Sequence, residues 1–409
     1  MPSVSGLHEE EKHMNKLRRY FNLPAWFALF FVAVLVSGCG SAGSGTLGVW
    51  LTDTPACGFN AVNATVGKVR VHTSGTASEN DGGWVEITLD PARKINLLDL
   101  TNGVLASLGE TSLPEGHYTQ LRLVLIANSG SSPFNNSVVL SATPGVEIAL
   151  NTPSAVQSGI KLINQFDVAD GQRVDLVLDF DACKSVVTRG NGSYALKPVI
   201  KVVPTVLNGI NGFVDTSLLG GNVVVSAQVN SEIIGATVPN ASTGEFLLAR
   251  LAPGNYDVVV TADDRATAII GAVPVASSSS IVMVSTNAAP ILLPVSTTRT
   301  ISGNALLNPP STTGEVIFAA AKQLPGSGPD VTVKSQAADL LSGAYSLALP
   351  VSAPLLGQYG AGTLPIAFVA QSPAAGRYTV EASAAGYQTQ SFSRDISSAD
   401  ASQNFTLTP

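Results

Sequence analysis

Strand-length apolar runs broken by turn residues set the strongest limit on what this chain can become. From Leu47 onward it offers "LGVWLTD", "ATVGKVRVHT", "GWVEITL", "YTQLRLVLIA", "SVVL", "VEIAL", "RVDLVLDFD" and "YALKPVIKVV". Such short runs, alternating or continuously apolar and bounded by Gly, Pro, Asn and Ser, read as strands. The 38 Gly and 24 Pro supply the turns, and a charged fraction of only 12% argues against helical bundles. Only "KINLLDLTNGVLASLGET" leaves room for a short helix, near Gly103–Gly109. The expected fold class is all-β, with three tandem β-sandwich domains, the first larger and the other two transthyretin- or Ig-like. A formal charge of -7 without a dense basic patch excludes nucleic acid as a partner.

The first 38 residues read as an export signal, with Met14 the expected true start. Lys16, Arg18 and Arg19 precede the apolar core "LPAWFALFFVAVLV" (Leu23 to Val36), which is too short for a comfortable membrane span. "VSGC" follows and resembles the bacterial lipobox. That resemblance implies lipidation of Cys39 as the mature N-terminus, with Gly40 directing it to the outer membrane. The acyl chains it implies exceed the two signals that stable anchoring needs. Residues 39–46 read as a lipidated, flexible tether. Cys57 and Cys183 remain, and in an oxidising compartment a disulfide between them is the default. No Cys/His spacing fits a zinc site.

The domain boundaries fall at 47–204, 207–294 and 299–409. The last two units share a weak internal pattern of strand, turn, strand and Gly-aromatic strand. Their short links predict a semi-rigid rod, with an insertion near Ala353–Thr363. A turn recurs across all three domains. "LPEGHYTQLRL", "LAPGNYDVVVTA" and "PAAGRYTVE" each place Gly-x-Tyr before a strand, at Gly116–Tyr118, Gly254–Tyr256 and Gly376–Tyr378. The glycine is expected to supply positive φ and the tyrosine to bury its ring with its hydroxyl at the wet edge. The middle residue, His117, Asn255 or Arg377, is then free to vary, which removes His117 as a general base.

"L-x-PGxY" in "LAPGNYDVVVTADD" resembles carboxypeptidase-regulatory-like modules with a transthyretin-like sandwich; the third unit, with "AGRYTVEASAAGYQTQ", is a looser match. The first domain resembles the domain-of-unknown-function 4382 family of surface lipoproteins. "LTDTP", "ATVGKVRVH", "INLLDLTNG", "LPEGHYTQLRL", "QSGIKL", "LDFDACKSVV" and "YALKPVIKV" carry that resemblance, in order. It implies an exported β-rich domain and no established activity. Gly67 stands where the family usually has a charged residue, with little consequence expected.

Carboxylates are the best remaining site candidates. Strand parity puts Val174, Leu176, Leu178 and Phe180 on one face, and Asp175, Asp179 and Asp181 on the other. Asp179 and Asp181 lie about 6.6 Å apart along an extended strand. With Asp53 they are weak calcium candidates, and they also offer a carboxylate pair for a glycan hydrolase. The competing reading is a set of turn-capping aspartates, with Asp53 an Asx-turn residue. Trp84 follows "NDGG" and either stacks on a sugar or packs inward. No nucleophile elbow and no phosphate loop exist. The expected function is a non-enzymatic binding, adhesion or scaffold role at the cell envelope, with a glycan or surface protein as ligand and no cofactor beyond the calcium possibility. The alternatives are the carboxylate hydrolase and a calcium-dependent carbohydrate-binding protein.

Overall fold

A computed structural model describes residues 43–54, 58–162, 164–203, 205–312 and 314–409. The export signal, Cys39 and Cys57 lie outside the described residues. Among those described, no helix is long and apolar enough to cross a membrane. The architecture is almost entirely β, in three domains that each pack two main sheets, the first with an additional two-stranded sheet.

In the N-terminal domain the first strand, Ser44–Thr54, lies at the centre of one sheet. It runs parallel to Arg173–Asp181 and antiparallel to Ala106–Pro114. The other sheet is organised by Phe59–His72, a 14-residue strand that pairs with Val85–Asn96, Gln120–Leu125 and Ser137–Leu140. Alternate residues of the two sheets meet in one core: Leu47, Val49 and Leu51 from the first, Val62, Val66, Val69 and Val71 from the second. Two sequence expectations change here. Strand structure begins at Ser44, so the tether does not extend to residue 46. Gly109 has φ 109° and Ala106–Pro114 is a strand paired to the first, so no helix forms near Gly103–Gly109; a short 3-10 turn forms instead at Leu97–Leu100. Gly67 also matters more than expected. The register slips between Val66 and Lys68, and a Cβ on Gly67 would stand 2.6 Å from Cδ1 of Ile126.

The middle module packs the small sheet of Gly209–Phe213, Glu245–Ala249 and Ile281–Met283 on a six-stranded sheet. Four strands of that larger sheet come from the module itself. The fifth and sixth, Leu355–Gln358 and Val369–Ala370, come from the C-terminal unit. The expected insertion is therefore a strap: Leu355 to Gln358 pair in parallel with Ala268 to Gly271. The exchange runs the other way as well, since Val259 and Ile269 belong to the C-terminal core with Ile301, Leu347 and Val380. The strands Gly254–Thr261 and Ala268–Val275 are buried on both faces, which is why "VVV" and "AII" run without alternation. The boundary at 294–299 divides the chain but not the sheets.

The rod expectation also gives way. Each domain touches the other two. Asn102 of the N-terminal domain, at φ 56°, donates from Nδ2 to Val238 O (2.8 Å), and its Oδ1 accepts from Thr237 Oγ1 (2.9 Å) and Leu247 N (3.0 Å). Leu340 N of the C-terminal module donates to Thr188 O of the N-terminal domain at 3.1 Å. Middle and C-terminal modules are further joined by Gln228, fully buried, which exchanges two 2.8 Å bonds with the backbone of Thr332.

Candidate functional site

The three Gly-x-Tyr tyrosines are all buried and all donate their hydroxyls to a backbone carbonyl. Tyr118 reaches Pro114 O at 3.0 Å and Tyr256 reaches Ala252 O at 2.7 Å, in each case four residues upstream. Tyr378 instead reaches Pro350 O at 2.6 Å, 28 residues away. Burial pushes all three phenols above their usual range. The ring anchors the turn while its one polar atom is satisfied, the bonding pattern of a tyrosine corner. The glycines are less alike than the sequence suggests. Gly376 is left-handed (φ 65°), and a Cβ there would meet the Ser397 backbone at 2.8 Å. Gly116 has φ 157°, close to extended, with nothing within 4 Å of a Cβ. Gly254 is not among the positive-φ residues. The expectation that glycine supplies positive φ in every copy is corrected: the shared device is the tyrosine bond. The middle residues are exposed. His117 Nδ1 lies 2.7 Å from Oδ1 of its cross-strand partner Asp167, and Arg377 Nε lies 3.6 Å from Asp395 in the same relation.

The carboxylates separate. In the parallel register Asp53 lies opposite Phe180, on the core side, while Asp179 lies opposite Thr52 on the other side. Asp53 Oδ1 accepts from Ala182 N (3.1 Å), and Asp181 Oδ1 accepts from Lys184 N (3.0 Å). Lys184 Nζ stands 3.3 Å from the second oxygen of Asp181. Asp53 and Asp181 thus fix the short helical turn Ala182–Ser185 that carries Cys183. Among the described residues no three His, Cys, Asp or Glu side chains gather as a metal site. Thr54, the last residue of its strand, lies opposite Asp181, two residues before Cys183.

Trp84 is half-buried, and its Nε1 donates to Ser78 O at 2.9 Å. Its ring lies over the guanidiniums of Arg70 (4.6 Å) and Arg122 (4.9 Å), which are cross-strand neighbours, and against His72. Arg122 donates to Ala77 O and Ser158 O, both at 2.7 Å. His72 is also fully engaged: Nδ1 accepts from Ser74 N at 2.8 Å, so Nε2 carries the proton facing Gly82 O at 2.9 Å. These side chains clamp the loop between His72 and Val85 onto the outer face of the sheet.

A concave feature at the domain junction was invisible in the sequence. A cavity of about 650 Å³ sits where the three domains meet. The N-terminal domain lines it with Phe59, Asp181 and Lys184; the middle module with Asp263, Asp264, Arg265 and Thr267; the C-terminal module with Lys334 and Gln336. Asp53 and Asp179 line a separate, much smaller cavity of about 40 Å³ at the seam by Asn102. Asp181 therefore does not share a cleft with the other two candidates. Thr267 is 1% exposed, and its Oγ1 has no hydrogen-bond partner in the protein. The strap crosses this point, with Leu355 N donating to Thr267 O at 2.8 Å.

Fold and junction together define an all-β protein of three interlocked sandwich domains around a common cavity. Residues 44–198, the N-terminal domain, match the family described as domain of unknown function DUF4382. No curated protein matches the chain. Among solved structures, the Bacillus anthracis TIE protein is 11% identical; 90% of this chain aligns with 50% of that one at a TM-score of 0.17. A streptococcal ancillary pilin is 9% identical over 90% of this chain and 99% of its own, at 0.17. The Corynebacterium diphtheriae major pilin SpaA is 10% identical over 90% and 100%, at 0.19. This chain thus spans half the length of the Bacillus anthracis protein. Scores of this size describe different overall arrangements and carry no argument about function.

Proposed function

We propose that the protein is a lipoprotein of the cell envelope, anchored in the outer membrane through Cys39, with a non-enzymatic binding or scaffold role. The observation that carries the role is the junction: all three domains contribute walls to one cavity, and strand exchange holds two of them together. A 650 Å³ cavity lies within the range of small-molecule sites. The anchor rests on the ordered basic region, apolar core and "VSGC". Four residues, 39–42, separate the first described residue from the membrane, a reach of at most about 14 Å. The first strand then runs 11 residues, about 36 Å, from Ser44 to the junction end at Thr54. On this reading the cavity stands well clear of the lipid, facing solutes or a neighbouring surface.

A Cys57–Cys183 disulfide belongs to the same reading, since export would put this remaining pair in an oxidising compartment. The hydrolase alternative needs two carboxylates in one cleft, and Asp179 and Asp181 line different cavities. The calcium alternative needs a ligand cluster, and Asp53, Asp179 and Asp181 do not make one. Replacing Cys39 by Ala tests the anchor. The variant should leave the outer-membrane fraction; retention there unchanged would refute the lipid attachment.

A further inference from the structure

We propose that the three-domain cavity is a binding site for an uncharged saccharide of di- to tetrasaccharide size. This deepens the binding role above and rests on it. The first argument is charge. Asp181, Asp263 and Asp264 face Lys184, Arg265 and Lys334, three carboxylates against three cations, so the lining carries no net charge to recruit an ion.

These carboxylates are also occupied. Asp181 is held by Lys184, Asp263 accepts from Asn222 Nδ2, and Asp264 Oδ1 accepts from Thr298 Oγ1 at 2.8 Å. A charged ligand would have to break these bonds, whereas a polyol can add to them. Carboxylate oxygens bonded once retain lone pairs that a sugar hydroxyl can fill.

The second argument is the rest of the wall. Hydroxyl and amide side chains such as Thr101, Ser141, Asn222 and Ser335 share the lining with Phe59, Phe318 and Val224. Donor-acceptor groups beside aromatic and aliphatic faces match a sugar, which presents hydroxyls at its edge and C–H bonds on its faces.

The test is a binding array of neutral di- to tetrasaccharides, with sulfated and sialylated counterparts and a free fatty acid, probed with the full-length protein in detergent. Binding is expected for one or more neutral saccharides. Lys334→Met keeps the length of a lining side chain but removes its donors, and should weaken it about 3- to 10-fold, the factor for one hydrogen bond. Trp84→Ala, outside the cavity lining, should leave it unchanged. Loss of binding in Trp84→Ala but not in Lys334→Met would overturn the cavity assignment. Binding confined to charged sugars or the fatty acid, or no binding at all, would overturn the saccharide class. Membrane fractionation of Cys39→Ala is independent of these outcomes, so failure of the ligand proposal and failure of the anchored-lipoprotein reading remain distinguishable.

Discussion

The middle module meets the C-terminal module through a shared sheet and a shared core, and it meets the N-terminal domain through a polar corner at Asn102. The first contact is made by continuous apolar strands. Val259 and Ile269 point away from their own module's core and into the next one, while Leu355–Gln358 returns the exchange. The second is made by one left-handed asparagine whose amide meets three partners. A shared apolar core and a continuous sheet couple folding, because neither module can complete its core alone. A hydrogen-bonded corner fixes orientation and can open with each side intact. The two C-terminal modules are thus one folding unit, and the N-terminal domain is docked on it.

The sharpest way to break this contrast is Ile269→Asp. A charge at a fully buried position with no partner should cost more than about 4 kcal/mol. Calorimetry should show the C-terminal modules melting earlier together, with the N-terminal transition little moved. Asn102→Ala comes next. It removes three side-chain bonds and places Ala at positive φ, a cost of about 2–4 kcal/mol to docking. Small-angle scattering should show expansion, while the melting of the C-terminal pair stays put.

Acid probes the other edge of the docking. Burial pushes the Asp339 carboxyl up, but hydrogen bonds from Ser342, Leu341 and Gly190 outweigh it and hold its pKa at about 2. Gly190 belongs to the N-terminal domain. A depressed carboxylate pKa contributes stability above the unfolded value, about 3.9, that is lost as pH falls through the folded one. The Asp339–Gly343 turn should therefore lose stability between about pH 4 and pH 2, docking should lose less because only the Gly190 bond crosses to it, and Asp339→Asn should flatten both.

The smallest effects concern the repeated turn. Tyr118→Phe, Tyr256→Phe and Tyr378→Phe should each lose about 1 kcal/mol. Gly376→Ala should exceed Gly116→Ala, because only Gly376 has both a left-handed backbone and a blocked Cβ position. His117→Asn should change stability by less than about 0.5 kcal/mol, in keeping with an exposed pair.

Much of this architecture was readable from period and punctuation. Alternation located most strands, and the Gly-x-Tyr repeat pointed to three tyrosines that each bond a backbone carbonyl. What escaped was non-local. Residues 103–109 are apolar enough for a helix, but pairing of Ala106–Pro114 with the first strand overrides local preference. The strap near Ala353–Thr363 reads as an insertion because its partner strand lies more than 80 residues upstream (Leu355 against Ala268 is 87). The one available signal was the unbroken "VVV" and "AII", which report burial on both faces. Nothing distinguished Gln228 or Asn102 from many similar residues, since their roles exist only once the domains meet. The aspartates misled because strand parity was read without the parallel neighbour that places Asp53 on the opposite face from Asp179.

Native-state hydrogen exchange on the full chain tests the central coupling most directly, since cooperative units open with a common free energy. The account predicts that the amides of Leu355 and Leu356, covalently part of the C-terminal module, open with the same free energy as those of Val259 and Ile269. Exchange of the 355–358 strand at loop rates, with Val259 and Ile269 still fully protected, would contradict it.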